Sequence, residues 1–114
     1  MPEFKPAKLL RVLCSEGDQY KGKPLYRAVV DKCLEMKIAG ATVFRGVEGF
    51  GESAEIHRGH LLTHNLPIVV TIVDSAETIA RLVPVLEEMI DTGLIAISGV
   101  EAWRVEKAAP TSKS

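Results

Sequence analysis

Four stretches of the chain have strand-like apolar patterns, most of them alternating with polar residues, and two others follow a helical period. The order of these stretches predicts strand, helix, strand, strand, helix, strand. The third strand is almost wholly apolar, so we expect it to lie in the centre of a sheet with at least one face covered. The predicted strands are Lys8–Cys14, Ala41–Val47, Ile68–Val73 and Leu94–Val105, the last with a possible interruption at Ser98 and Gly99.

The first predicted helix has one apolar face. Its apolar residues recur at helical spacing and are Leu25, Val29, Cys33 and Met36. Proline fits the first turn of a helix, where its missing N–H would be unpaired, so we expect Pro24 there. We expect Gly40 to follow the helix in the left-handed conformation, which glycine adopts at little cost.

The second predicted helix carries a longer apolar stripe over Ile79–Ile90. We expect Asp74 to cap it, with Glu77 as the reciprocal partner three residues later. Pro84 lies inside the stripe, so we expect a kink at that position and a helix that continues beyond it. Gly93 is expected to end the helix.

The two strand–helix–strand halves are related in pattern, which is typical of a split βαβ arrangement. Right-handed crossovers then place both helices on one face of a four-stranded antiparallel sheet, an α+β architecture. We expect the positions on the other, open face to include Leu10, Val12, Val43 and Val70. Because an open apolar face is unfavourable in water, we expect copies of the same chain to cover it.

The size and charge of the chain exclude several classes of protein. The chain has 114 residues, so we expect a single domain over residues 1–107 and a disordered tail over 108–114. A net charge of −1 gives no electrostatic footprint for nucleic acid. No apolar run approaches a membrane span and no signal-peptide core is present, so we expect a cytoplasmic protein. Cys14 and Cys33 are expected to be buried free thiols.

A connection of residues 48–66 joins the second and third predicted strands, although a hairpin needs only ~2–5 residues. Its base holds Gly46, Gly49 and Gly51 around Glu48 and Phe50. Such glycines let the backbone approach a ligand and aim N–H groups at an anion, and the carboxylate can accept from a ribose or base. The spacing is neither a dinucleotide-binding fingerprint nor a Walker loop. A glycine-rich hinge is the alternative interpretation.

The middle of this connection contains His57, Arg58, His60 and His64. Imidazoles are common metal ligands, and a helical pair at positions 60 and 64 can share one ion. No cysteine lies nearby, and the alternative is a set of solvated or capping histidines.

Two further sites suit an anion. Lys21 and Lys23 lie near the start of the first helix, where the dipole favours negative charge. The turn at Thr92 and Gly93 precedes the last strand, and Arg104 lies near its end with a side chain suited to phosphate. Taken singly, these residues are better explained as parts of turns, helix caps and surface charges than as ligand-binding residues. Since no serine has a nucleophile-elbow context and neither cysteine lies in an evident electropositive pocket, we do not expect an enzyme.

Several segments together resemble a family of PII-like proteins that was classified as a domain of unknown function. They are Tyr20–Tyr26, Ala39–Gly51, Leu66–Val70 and Leu86–Ile90. The resemblance covers roughly residues 8–105, and the most specific part is the stretch that ends in Gly-Val-Glu-Gly-Phe-Gly51.

The resemblance implies a ferredoxin-like βαββαβ fold, a compact homotrimer and an adenine nucleotide (AMP, ADP or ATP) in each cleft between subunits, with no required cofactor. It implies that residues 48–66 are the T-loop, which docks onto a membrane transporter, a channel or an enzyme. By position, the ligand-binding residues would be Gly46, Glu48, Gly49, Phe50, Gly51, Arg58, Thr92, Gly93 and Arg104.

The sequence departs from PII proteins at the predicted phosphate loop. The segment at residues 91–94 is shorter than the phosphate-binding loop of PII proteins and lacks the lysine of that loop. Arg104 matches one basic residue of the PII last strand, but Glu106 occupies the place of a second. Fewer phosphate contacts favour a monophosphate, a diphosphate or a small anion. Residues 48–66 also contain no tyrosine, the residue that some PII proteins modify in the T-loop.

The divalent-cation tolerance proteins share the implied fold, so a metal-binding trimer that uses His57, His60 and His64 is the alternative function.

Overall fold

A computed structural model describes residues 5–50, 57–58 and 65–107. The predicted element order is confirmed, with strands and helices at β1 (Lys5–Ser15), α1 (Leu25–Glu35), β2 (Ala41–Arg45), β3 (Pro67–Asp74), α2 (Ala76–Met89) and β4 (Leu94–Ala102). The sheet order is β2-β3-β1-β4 and every neighbouring pair is antiparallel, which is the ferredoxin-like α+β fold. Strand β4 runs unbroken through Ser98 and Gly99 and ends before Val105.

Both helices pack on the same face of the sheet, but that face is not the one that the sequence suggested. Leu10, Val12 and Val70 are fully buried in the core beneath the helices, and Val43 pairs with Val70 on the same face. The expectation that these residues form the open face is therefore wrong. The reason is that β1 is apolar on both faces, so alternation alone does not choose between the two.

The open face of the sheet carries a row of apolar side chains near one end. Register pairing aligns Phe44, Val69, Leu13 and Leu94 across the four strands. Three of them, Phe44, Leu13 and Leu94, are exposed. The next row contains Thr42, Thr71 and Arg11, so the open face is less apolar than predicted.

Helix α1 begins and ends at residues other than those predicted. Pro24 occupies the N-cap position, one residue before the first turn. At the other end Lys37 has a φ of 62°, its N–H donates to the Leu34 carbonyl, and the N–H of Ile38 donates to the Cys33 carbonyl. This Schellman motif ends the helix at Met36, so Gly40 is not the left-handed residue.

Helix α2 is capped by Ser75, whose side chain accepts a hydrogen bond from the N–H of Thr78. The predicted Asp74 capping box is therefore wrong. Instead the Asp74 carboxylate accepts from the N–H groups of Ser75 and Ala39, at 2.7 and 2.8 Å. Helix α2 includes Pro84 and ends at Met89 rather than at Gly93.

The polar segment after β1 forms a small hairpin rather than an irregular loop. Gln19–Tyr20 pairs with Lys23–Pro24. The two turn residues, Lys21 and Gly22, have φ values of 49° and 85°, which suit a tight turn of type I′.

Candidate functional site

The predicted ligand-binding residues lie at the two ends of the sheet. Strands β1 and β2 finish at the end of the sheet where β3 and β4 begin, because Ser15 pairs with Pro67 and Leu13 with Leu94. We call this end, with residues 15–18, 45–50, 65–67 and 91–93, the loop end. The opposite end of the sheet, with residues 5–8, 39–42, 73–75 and 99–105, is the cleft end.

Two glycines at the base of the long connection pack against Pro67. A Cβ on Gly46 would lie 2.8 Å from the proline Cγ, and one on Gly49 would lie 3.2 Å from it. The N–H of Gly46 also donates to the Pro67 carbonyl at 2.7 Å. Neither glycine has a positive φ. Close approach, rather than an unusual backbone conformation, is therefore what favours glycine, more strongly at Gly46 than at Gly49.

A short ribbon extends this base into the connection. Glu48 pairs with Arg58 and Gly49 with His57 through the backbone. Val47 and Phe50, which flank Glu48–Gly49, are exposed apolar residues. The loop end therefore presents two exposed apolar side chains beside this ribbon.

The turn at Thr92 and Gly93 also lies at the loop end. A Cβ on Gly93 would lie 2.9 Å from the Leu13 carbonyl oxygen and 3.1 Å from Cγ2 of Ile90. The turn is thus packed directly onto the last part of β1. Two glycine-containing segments that are more than forty residues apart in the sequence therefore lie at the same end of the sheet, one beyond β2 and one before β4, with β3 and β1 between them.

The loop end also contains an ion pair that sequence analysis did not find. Nη2 of Arg45 lies 2.7 Å from Oε2 of Glu16. Because β3 separates β1 from β2, the pair spans the start of β3. The N–H of Glu16 also donates to the carbonyl of Leu66, at 2.8 Å. The partners come from strands that are not neighbours, and no sequence period relates such residues.

Arg104 lies at the cleft end, away from the other predicted residues. It follows β4, whose nine residues span about 30 Å. There it lines an open cleft of about 950 Å³, together with residues that include Lys5, Thr42, Asp74 and Trp103. Within one chain the structure therefore places six predicted residues at the same end of the sheet, beyond β2 (Gly46, Glu48, Gly49, Phe50) or before β4 (Thr92, Gly93), and it places Arg104 at the other end.

Some predicted residues lie outside what the structure describes. These are Gly51, His60 and His64, and only the backbone of His57 and Arg58 is described. Among the described residues no three His, Cys, Asp or Glu side chains are grouped as metal ligands. The metal hypothesis and the predicted tail over 108–114 remain predictions.

Both cysteines are free, one at the loop end of the core and one in α1. Cys33 is buried and Cys14 is half-buried. Burial raises the pKa of each thiol to about 11, and the nearby Asp18 carboxylate adds to the effect on Cys14. Both thiols are therefore protonated near neutral pH, which makes them poor nucleophiles. No helix in the described part of the chain is long and apolar enough to span a membrane.

The same fold occurs in solved structures of PII-like proteins. CPII, a nitrogen regulatory PII-like protein from Thiomonas intermedia K12 bound to ADP, AMP and bicarbonate, superposes with a TM-score of 0.67 at 17% identity, over 91% of this chain and 94% of CPII. The divalent ion tolerance protein CutA1 from Ehrlichia chaffeensis gives a TM-score of 0.56 at 15% identity, over 89% and 85% of the two chains. At these identities the likeness shows the fold, which is PII-like.

Sequence comparison places the chain more narrowly. Residues 7–102 match the DUF190 family, described as "Uncharacterized ACR". A UPF0166 protein of Aquifex aeolicus is 41% identical over 98 residues, which cover 82% of this chain and 90% of the relative. A UPF0166 protein of Methanocaldococcus jannaschii is 34% identical over 105 residues, 88% and 94% of the two chains. The chain belongs to the DUF190 (UPF0166) family.

Proposed function

We propose that this protein is a PII-like regulatory protein of the cytoplasm rather than an enzyme. It binds an adenine nucleotide in clefts between the subunits of a homotrimer and signals through residues 48–66 to a transporter, a channel or an enzyme. The observation that carries the proposal is that the Gly46–Phe50 segment and the Thr92–Gly93 turn lie at the same end of the sheet.

The chemistry of the loop end suits a nucleotide. Thr92 offers a hydroxyl in an exposed turn, and the neighbouring Gly93 is exposed as well. Glu48 supplies an acceptor for a ribose or a base. The exposed Phe50 ring offers apolar surface to a base or a partner. Gly51 and Arg58 complete the proposed set.

The position of Arg104 supports a site that two subunits share. Its side chain cannot cross the roughly 30 Å between the two ends of one sheet. The cleft end of a second copy, however, would bring Arg104 with Lys5 and Trp103 to the glycines of the first copy. A guanidinium is well suited to bind phosphate. The apolar row on the open face, with Phe44, Leu13 and Leu94 exposed, offers the surface on which copies would assemble.

The charge of the loop end favours a short phosphate chain. Glu16, Asp18 and Asp91 all lie there, and each added phosphate brings negative charge toward these carboxylates. We therefore expect AMP or ADP to bind more tightly than ATP.

The route from ligand to partner runs through the base of the connection. Backbone hydrogen bonds from Gly46 to Pro67 and from Glu16 to Leu66 fix both of its ends to the sheet. A ligand at this base shifts the population of loop states that a partner recognises, because it binds those states with different affinity.

Native mass spectrometry and calorimetric titration with AMP, ADP and ATP test the proposal. We expect a trimer mass, ADP binding, and a rise in melting temperature with ADP, because a ligand that binds only the folded state stabilises it. Adenosine serves as the control for the phosphate contribution. A monomer that binds none of the nucleotides at millimolar concentration contradicts the proposal.

A further inference from the structure

The cation closest in sequence to the glycines of the loop base is Arg45, which directly precedes Gly46. Its Nη2 lies 2.7 Å from the carboxylate of Glu16, with half of the arginine side chain exposed and about a fifth of the glutamate. An ion pair this accessible contributes little to stability, so its partners are free to exchange.

The remaining charges at the loop end give Arg45 a special position. The carboxylates there include Asp18 and Asp91 as well as Glu16. Lys23, at the start of the neighbouring helix, is already paired with Asp31 at 2.8 Å. Among the described side chains, Arg45 supplies the guanidinium at the loop end. An anion that binds against the glycines therefore meets Arg45 among several carboxylates.

We propose that Arg45 is an exchangeable anion-binding residue. In the ligand-free protein Glu16 holds the guanidinium, and on binding the phosphate of the ligand takes the place of the carboxylate. The inference rests on the proposed function in that it adds a residue to the same nucleotide site. A guanidinium binds phosphate and carboxylate with the same two-pronged geometry, so either anion satisfies it.

The exchange has a consequence for the long connection. Arg45 stands immediately before its first residues, and the N–H of Glu16 binds the carbonyl of Leu66 at its last. The ion pair thus links the two ends of the connection across β3. When a phosphate captures Arg45, that side-chain link opens while the backbone bonds remain, which gives the ligand a direct way to change the loop.

The test uses Glu16→Gln and Arg45→Gln, with Glu35→Gln as the matched control. Glu35 also forms an ion pair, with Lys32 at 3.2 Å, but on the surface of α1. Calorimetric titration measures the affinity of each variant for ADP, inorganic diphosphate and adenosine, after circular dichroism has confirmed folding. An Arg45→Lys variant stands in if Arg45→Gln does not fold.

We expect Glu16→Gln to raise the affinity for ADP and diphosphate about threefold to tenfold, because the competing carboxylate is removed. Arg45→Gln should lower both affinities about tenfold or more, which matches the loss of one charged hydrogen-bonding group. Arg45→Lys should retain part of the binding, since the charge remains. Adenosine affinity should stay constant in all variants, and Glu35→Gln should behave as the wild type.

The failures of the two proposals can be told apart. If the wild type binds ADP and neither Arg45→Gln nor Glu16→Gln differs from Glu35→Gln, the role of Arg45 is overturned and the nucleotide site stands. If the wild type binds diphosphate through Arg45 but does not bind ADP, the nucleotide function is overturned and the anion site stands. If it binds neither, both are overturned. Equal loss of ADP and adenosine binding in Arg45→Gln also overturns the exchange, because it shows a structural effect.

Discussion

The glycines at the two ends of the sheet have different environments. At the loop end Gly46, Gly49 and Gly93 lie so close to Pro67 or to the β1 backbone that a Cβ would meet another atom at 2.8 to 3.2 Å. At the cleft end Gly40 has nothing within 4 Å of a Cβ, and Gly99 has only a lysine Nζ at 3.9 Å. Among these five glycines, the close contacts occur at the end that carries the long connection.

The charges of the two ends differ in a complementary way. The loop end has closely packed glycines, several carboxylates and the paired Arg45, whereas the cleft end has Lys5 and Arg104 beside Trp103. A phosphate-binding site needs both close backbone approach and cations. At the loop end Arg45 is paired with Glu16, so the proposed site adds the cations at the cleft end of another copy.

The largest expected effect is on stability, at Gly93. Gly93→Ala should lower the free energy of unfolding by about 2 kcal/mol, because its Cβ would press on the Leu13 carbonyl, which belongs to the sheet and cannot turn away. Urea denaturation at fixed protein concentration measures the change. Gly99→Ala, in the open cleft end of β4, is the control and should change stability by about 0.5 kcal/mol or less. Equal effects of the two changes would remove the contrast between the ends.

A smaller effect is expected at Gly46. Gly46→Ala should cost about 1 kcal/mol, since its Cβ meets the Pro67 ring at 2.8 Å and the neighbour is a side chain rather than backbone. Combining it with Pro67→Ala should cost less than the sum of the two single changes, because the second removes the clashing atom. A double-mutant cycle from denaturation data measures the coupling. Additive costs would show that Pro67 is not what excludes a side chain at Gly46.

The smallest expected effect concerns the thiols and pH. Their pKa of about 11 in the folded protein lies above the usual 9.0. The unfolded chain therefore loses these protons first, and stability should fall as the pH rises from about 9 to 11. At pH 8.5 both thiols should react with iodoacetamide more slowly than in denaturant, and buried Cys33 more slowly than half-buried Cys14. Mass spectrometry of the alkylated protein follows both, and folded-state rates equal to those in denaturant would contradict the burial.

The element order could be predicted because the strand and helix periods are well separated in this sequence. The wrong predictions about helix ends were choices between nearby residues that suit the same position equally well. Asp74 and Ser75 are both good capping residues, and the hydrogen bond from Ala39 directs Asp74 to another role. Lys37 takes the left-handed position because the Schellman motif buries Ile38 against the core. These outcomes depend on tertiary contacts rather than on local propensity.

Half of the candidate site could be predicted in the same way. The glycine pattern and the Thr92–Gly93 turn were visible in the sequence, and the fold places both at the loop end. The Arg45–Glu16 pair was not visible, because it bridges two strands with a third between them. The separation of Arg104 from the other residues likewise follows from strand direction, which spacing along the chain does not reveal.

Mixing two defective variants tests the shared site most directly. Thr92→Glu places a negative charge in the exposed turn of the loop end, and Arg104→Gln removes the guanidinium of the cleft end. Each variant alone should bind ADP weakly. If the two halves come from different subunits, trimers refolded from an equal mixture should regain tight binding in about a quarter of their clefts, where both halves are intact. Binding in the mixture no better than in the two separate variants would contradict a site between subunits.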